Sequence, residues 1–357
     1  MSRSPYENLC KNAFWRSGVS TKDPFSIEGL YRRKFKILRK DRIATAGSCF
    51  AQHIARHLKE RKFNVLQYEA APRGMSADVA AKYSFGVYSC RYANIYTTAQ
   101  LYQLAREAFG DFSPAEPVWE KDGRYYDAQR PSVEPYGYAS AKDVMTARKK
   151  HLEKVKAMLL DMDVFVFTFG LTEAWIHTES ETVYPTAPGT IAGSYDPEIY
   201  SFKNYSYNEV LKSFNKFLRY IRRARNHRLR VITTVSPVPL TATASSLHVL
   251  SASSYSKSVL RAVCGSLEGQ HSRLDYYPSY ELITAGFTKG IFFETNLRSV
   301  TSQGVANAMR IFLSEHDPQG NENPKSAPPN FPENTTQGAM LEDDIQCEEI
   351  LLEAFNK

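Results

Sequence analysis

The order of periodicities along this chain predicts an α/β fold with a mainly parallel central sheet. Two runs, Asp163-Val164-Phe165-Val166-Phe167-Thr168-Phe169 and Arg230-Val231-Ile232-Thr233-Thr234-Val235, are apolar on both faces, as central parallel strands covered on two sides should be. Segments with apolar residues at three- and four-residue spacings lie between such runs. Strand and helix patterns then alternate rather than cluster, the signature of parallel α/β architecture.

Taken in order, residues 1–40 read as an irregular leader with aromatic anchors at Tyr6, Phe14, Trp15, Phe25 and Tyr31. The α/β domain is expected over 41–316. It opens with a strand from Arg42 to Ala46, a helix from Phe50 to Lys62 and a strand from Asn64 to Tyr68. Phe50, Ile54 and Leu58 share one face of that helix, with His53, Arg56, Lys59 and Glu60 around the rest. A helix is predicted from Asn94 to Phe109. Residues 111–140 hold four prolines and many aromatics, which marks a long loop excursion. A helix from Ser140 to Leu160 feeds the first central strand, and a second loop-rich stretch runs from Thr178 to Tyr205. A basic helix from Ser206 to Asn226, the second central strand, a helix from Tyr255 to Gly265, a short strand Leu274–Tyr277 and a helix from Gln303 to Leu313 complete the domain. Residues 317–340 have the composition of a disordered linker. Over 341–357 a short acidic helix is expected, with Leu341, Ile345, Leu352 and Phe355 on one face, docking on the body or on a partner.

The 357 residues carry a net charge of +7, unevenly spread. Residues 315–357 hold ten acidic side chains against Lys325 and Lys357, which leaves the remainder at +15. Basic clusters at Arg32, Arg33, Lys34, Lys36, Arg39, Lys40 and Arg42, and from Arg219 to Arg230, suit solvated faces or an acidic partner. No nucleic-acid motif accompanies them, so nucleic acid is not expected. No apolar run approaches the roughly 20 residues of a membrane span. The start of the chain lacks the apolar core of a secretory signal. Five scattered cysteines without a CxxC pair argue for a reduced, cytoplasmic protein. No Gly-rich phosphate loop, HExxH or EF-hand pattern is present, so neither a cofactor nor a metal is expected.

The densest chemical signal is Gly47-Ser48-Cys49-Phe50-Ala51. A serine on a tight strand-to-helix turn is where several hydrolase folds hold a nucleophile. The glycine permits the turn, and a helix N-terminus offers N–H groups to a developing oxyanion. Two further strands end in polar signatures, Gly170-Leu171-Thr172-Glu173 and Ser236-Pro237. In a parallel sheet all three converge on the carboxyl edge, where sites form. Cys49 is read as packing, because the side chain after such a turn points inward. The tyrosine-rich excursions suit sugar faces or packing on the sheet equally.

These motifs, with Arg91-Tyr92-Ala93-Asn94-Ile95-Tyr96, Tyr184-Pro185, Phe202-Lys203-Asn204, Ser256-Lys257 and Tyr277-Pro278-Ser279-Tyr280-Glu281, resemble in order the GSCFA family. The resemblance spans roughly residues 40–313. It implies the SGNH/GDSL hydrolase superfamily: a three-layer α/β/α sandwich, flavodoxin-like, that cleaves or transfers acyl groups, here from O-acylated carbohydrate or a related ester. By resemblance Ser48 is the nucleophile and its own N–H one oxyanion donor. Gly86 or Asn94 supplies a second, and Thr172 stands where many members carry an oxyanion-binding asparagine. The usual Asp-x-x-His block reads Asn296-Leu297-Arg298-Ser299, with neither acid nor imidazole to take the nucleophile's proton. The remaining candidates for a base are His248, on a loop after a core strand, His177 and Glu173. His53 is turned about 140° round the helix from Ser48. A non-catalytic carbohydrate-binding or scaffold protein on the same fold is the alternative.

Overall fold

The structure, a computed structural model, describes residues 4–317 and 348–356. Four parallel strands form the central sheet: β1 (Ile43–Gly47), β4 (Val164–Phe169), β8 (Arg230–Val235) and β9 (Leu274–Tyr276), hydrogen-bonded in that order. Helices α1 (Phe50–Glu60), α2 (Ala77–Lys82), α3 (Thr98–Phe109) and α4 (Ala141–Asp161) lie between β1 and β4 in the chain. A hairpin of β2 (Val118–Lys121) and β3 (Arg124–Asp127) falls between α3 and α4. After β4 come β5 (Glu173–His177), β6 (Val183–Tyr184) and β7 (Tyr200–Asn204), a small antiparallel sheet in the order β6-β5-β7. Helix α5 (Tyr207–Ala224) leads into β8, α6 (Val249–Gln270) into β9, and α7 (Ser279–Thr284) and α8 (Ser302–His316) follow.

Strand period decides the layers. On β4, Phe165, Phe167 and Phe169 point to one core, shared with Val155 and Met158 of α4, Phe214 and Phe217 of α5, and Leu260 and Val263 of α6. Val164 and Val166 point to the other, shared with Ile54 and Leu58 of α1, Leu282 of α7 and Phe312 of α8. Every residue of β4 is buried, as its sequence requires. This is the expected α/β/α sandwich.

Several boundaries differ from expectation. The predicted strand Asn64–Tyr68 reduces to one parallel bridge, Ile43 to Val65. The helix expected from Asn94 begins at Thr98, because Ala93 adopts φ +55° and Thr97 caps the helix by accepting the Gln100 N–H. The leader's true anchors are Ile27, Tyr31 and Ile37, buried in the second core, whereas Trp15 is 73% exposed. Of the predicted linker over 317–340, all but Asp317 lies outside the described residues, as does 341–347 of the acidic helix; Glu348–Phe355 form a 3-10 helix. Much of the basic charge has partners within the chain. Arg42 pairs with Asp161 and Asp163, Arg39 with Asp317 and Arg230 with Asp41, while Arg225 donates to the Leu159 and Met162 carbonyls.

Candidate active site

Gly47 ends β1 with φ +133°, and a Cβ there would fall 2.3 Å from the Thr168 carbonyl oxygen. Only glycine fits so close an approach to β4. The next peptide returns the contact: the Ser48 N–H donates to Thr168 O at 3.1 Å. That N–H is therefore spent on the strand ladder, which corrects the expectation that it serves an oxyanion. Beyond the turn, Phe50, Ile54 and Leu58 bury one face of α1 and fix its direction.

Residues 93–97 run across the ends of β1 and β4. Ile95 N–H donates to Gly47 O at 2.9 Å, and the Gly170 and Leu171 N–H groups both donate to Tyr96 O, at 3.2 and 3.0 Å. Gln100 secures the segment from α3 by accepting the Tyr96 N–H and donating to Asn94 O. Gly170 lies directly over Ser48: a Cβ on it would sit 2.9 Å from Ser48 Cβ. Lys257, buried on α6, donates its Nζ to Gly170 O at 2.8 Å, and Ser256 Oγ accepts the Thr172 N–H at 3.0 Å. The ends of β1, β4 and β8 thus meet on one edge, with Ser236 N–H bonded to Phe169 O.

The Ser48 side chain is buried, and its Oγ has no hydrogen-bond partner among the described residues; the same holds for Thr172 Oγ1. Buried hydroxyls are ordinarily hydrogen-bonded, so each orphan calls for an explanation; Thr45 and Thr168 Oγ1, inside the central strands, share the property. Asn94 is oriented by Tyr88, whose hydroxyl donates to Asn94 Oδ1 at 2.6 Å and lies 3.0 Å from Ser48 O. With Oδ1 engaged by Tyr88, Asn94 turns its Nδ2 to the Glu348 carboxylate and donates to it. Tyr96 OH donates to the same oxygen, Glu348 Oε2, at 2.7 Å, and Ser132 Oγ donates to Oε1 at 2.6 Å.

The other predicted residues are dispersed. Gly86 sits against the last turn of α1, where its carbonyl accepts Lys59 Nζ. Glu173 opens onto a cleft of about 200 Å³ shared with Leu171, Trp175, Phe202, Leu240 and Glu348. Burial raises its carboxyl pKa above the ordinary value, opposed by hydrogen bonds from Thr243 Oγ1 and the Ala244 N–H. His248 is exposed and caps α6, its Nδ1 accepting the Leu250 N–H. His177 ends β5, its Nδ1 accepting the Ser180 N–H. His53 packs edge-on against Phe50, and burial drives its pKa down to about 3. No imidazole is therefore within hydrogen-bond reach of Ser48 Oγ. The block Asn296–Ser299 closes on itself: Asn296 Oδ1 accepts the Arg298 and Ser299 N–H groups, and its Nδ2 donates to Ser299 Oγ. Arg298 extends from it to Glu349 at 3.3 Å. Cys49 is buried, as its position after the turn suggested.

Sequence reasoning missed Tyr96, Lys257, Ser132 and Glu348 as members of the site. Tyr96 and Lys257 stand inside motifs already noted, so a signal existed. Ser132 lies in a proline-rich excursion and Glu348 in an acidic tail, and neither carries a pattern of its own. Among the described residues no group of three or more His, Cys, Asp or Glu side chains is placed to hold a metal ion. No described helix is long and apolar enough to cross a membrane. The model of the GSCFA family matches residues 42–312. No curated protein and no solved structure matches the chain.

Proposed function

The chain belongs to the GSCFA family, and from that premise we propose that it is a serine hydrolase or acyltransferase of SGNH/GDSL type, acting on acyl esters of a carbohydrate. One observation carries this reading. The buried Ser48 hydroxyl lacks a partner among the described residues, beside two donors, Asn94 Nδ2 and Tyr96 OH, that already converge on one carboxyl oxygen. A carboxyl oxygen held there stands in for the acyl oxygen of an ester.

In this mechanism Ser48 Oγ attacks the acyl carbon as its proton passes to a base. Asn94 Nδ2, Tyr96 OH and Thr172 Oγ1 take the charge that develops on the carbonyl oxygen, each such donor being worth about a hundred- to a thousandfold in rate. The C–O bond to the sugar breaks, and the alkoxide leaves with the proton. Water or an acceptor hydroxyl then attacks the acyl-serine and restores Ser48. Of the predicted bases we assign Glu173, because its carboxylate opens onto the cleft and burial makes it more basic. His248 is tied up as a helix cap. Lys257 is a positioning residue that holds the Gly170 carbonyl, and with it the wall over Ser48.

The closed Asn296–Ser299 turn favours a second reading, a carbohydrate-binding protein on the same scaffold. Turnover of p-nitrophenyl acetate by the wild-type protein, Ser48→Ala and Glu173→Gln separates the two. Activity abolished in Ser48→Ala and reduced in Glu173→Gln, with the acid limb of the pH profile shifted, supports the enzyme. Saturable glycan binding without turnover, retained in Ser48→Ala, supports the binding protein.

A further inference from the structure

We propose that Asn94, Tyr96 and Ser132 form a carboxylate-binding subsite beside Ser48, and that the chain's own C-terminal segment fills it with Glu348, closing the site until an incoming ligand displaces it. The subsite stands on the geometry alone. Its consequence for turnover rests on the reading of Ser48 as nucleophile.

The three donors come from two separated loops, residues 93–97 and the excursion around Ser132, and meet only at this carboxylate. Glu348 is 4% exposed, and a buried carboxylate is tolerated only when hydrogen bonds replace its water. A permanent structural clamp on a buried carboxylate is ordinarily an arginine or lysine, as in the Arg148–Asp127 pair of this same chain. Here the donors to Glu348 are an amide and two hydroxyls. Neutral donors suit an oxygen whose charge comes and goes, such as an ester carbonyl that becomes an oxyanion. A carboxylate is also what ester hydrolysis leaves behind, so Glu348 sits as an acid product would. The rest of the segment lines the neighbouring cleft. Glu349 is tethered to Arg298 at 3.3 Å, and Leu352 lines the cleft with Glu173 and Leu171. The hold is mostly polar: Ile350, Leu351 and Phe355 are 45, 47 and 63% exposed. A segment anchored by a few hydrogen bonds rather than by apolar burial opens at modest free energy.

Glu348 is not placed as the base. Both of its carboxylate oxygens are already engaged, by Asn94 Nδ2 and Tyr96 OH on one and Ser132 Oγ on the other.

The test uses the full chain as wild type, Glu348→Gln and Ser132→Ala, with two readouts. Amide hydrogen exchange over residues 349–355 reports the segment, and covalent labelling of Ser48 by a fluorophosphonate reports access to the site. Exchange should quicken on the order of tenfold in both variants, and in the wild type on adding sodium acetate as a competing carboxylate. Labelling should quicken in parallel. Unchanged exchange in both variants overturns the closure. Faster exchange with slower labelling in Glu348→Gln also overturns it, since Glu348 would then assist the chemistry. Faster exchange with no labelling in any form refutes Ser48 as the nucleophile and leaves the subsite supported.

Discussion

Replacing Gly170 by alanine places one methyl group between the two halves of the proposed site. Its carbon would fall 2.9 Å from Ser48 Cβ, 3.1 Å from Tyr96 O and 3.3 Å from Tyr96 Cα. None of these neighbours is the far end of a flexible side chain. Ser48 is held by its N–H on Thr168, and Tyr96 O by two N–H groups, so the backbone itself must part. Ordinary contact begins near 3.4 Å, so the β1 and β4 ends must separate by about half an ångström. Overpacking of this kind costs about 1–3 kcal/mol, or roughly 2–12 °C in Tm for a domain of this size. The same shift moves Ser48 relative to Asn94 and Thr172, and displacements of this order lower reactivity about ten- to a hundredfold. Differential scanning fluorimetry and the rate of fluorophosphonate labelling measure both effects on one sample. A wild-type Tm together with wild-type labelling would refute the proposed contact of the Gly170 turn with the nucleophile.

Tyr88→Phe removes the hydroxyl that orients Asn94, so esterase kcat should fall about tenfold with KM little changed; equal losses in both would point to general unfolding of the loop. Asp127→Ala strips the carboxylate shared by the buried Arg130 and Arg148, and should cost about 3–5 kcal/mol in urea denaturation; a loss below 1 kcal/mol would contradict a paired, desolvated network. Burial lowers the pKa values of His53 to about 3, His151 to about 4 and His316 to about 3, below the unfolded value near 6.5. These imidazoles are neutral in the fold, so the unfolded chain binds more protons below pH 6.5. Stability should then be fully present above about pH 6.5 and fall as pH drops towards 4, by up to about 1.4 kcal/mol per pH unit for each histidine. A urea midpoint constant from pH 7 to 4.5 would rule this out.

The layers were legible because both of their causes are local. The unbroken apolar run of β4 and the three- and four-residue spacings of α4 and α5 each fit within a short window, and alternation sets the parity of the two cores. What was not legible depends on distant partners. Glu173–His177 becomes a strand only by pairing with Tyr200–Asn204. Ser48 could be picked out because Gly47 must turn there, but the use of its N–H depended on where Thr168 lands. His248 looked available on its loop, and became a cap once α6 was seen to begin at Val249 rather than near Tyr255. The charge contrast between tail and body pointed to docking on the basic body or on a partner, and did not point to the contacts found among the described residues. Glu348 meets neutral donors at the mouth of the site, and the basic clusters hold partners of their own.

The most direct test of the central claim is to catch the acyl group on the protein. Wild-type chain and Glu348→Gln are mixed with p-nitrophenyl acetate, quenched in acid within the burst and digested for mass spectrometry. A single acetyl group on the peptide containing Gly47-Ser48-Cys49, placed on Ser48 by fragmentation and absent from Ser48→Ala, is the predicted result. Acetyl found on Cys49 instead, or p-nitrophenol released equally by wild type and Ser48→Ala, would contradict Ser48 as the nucleophile.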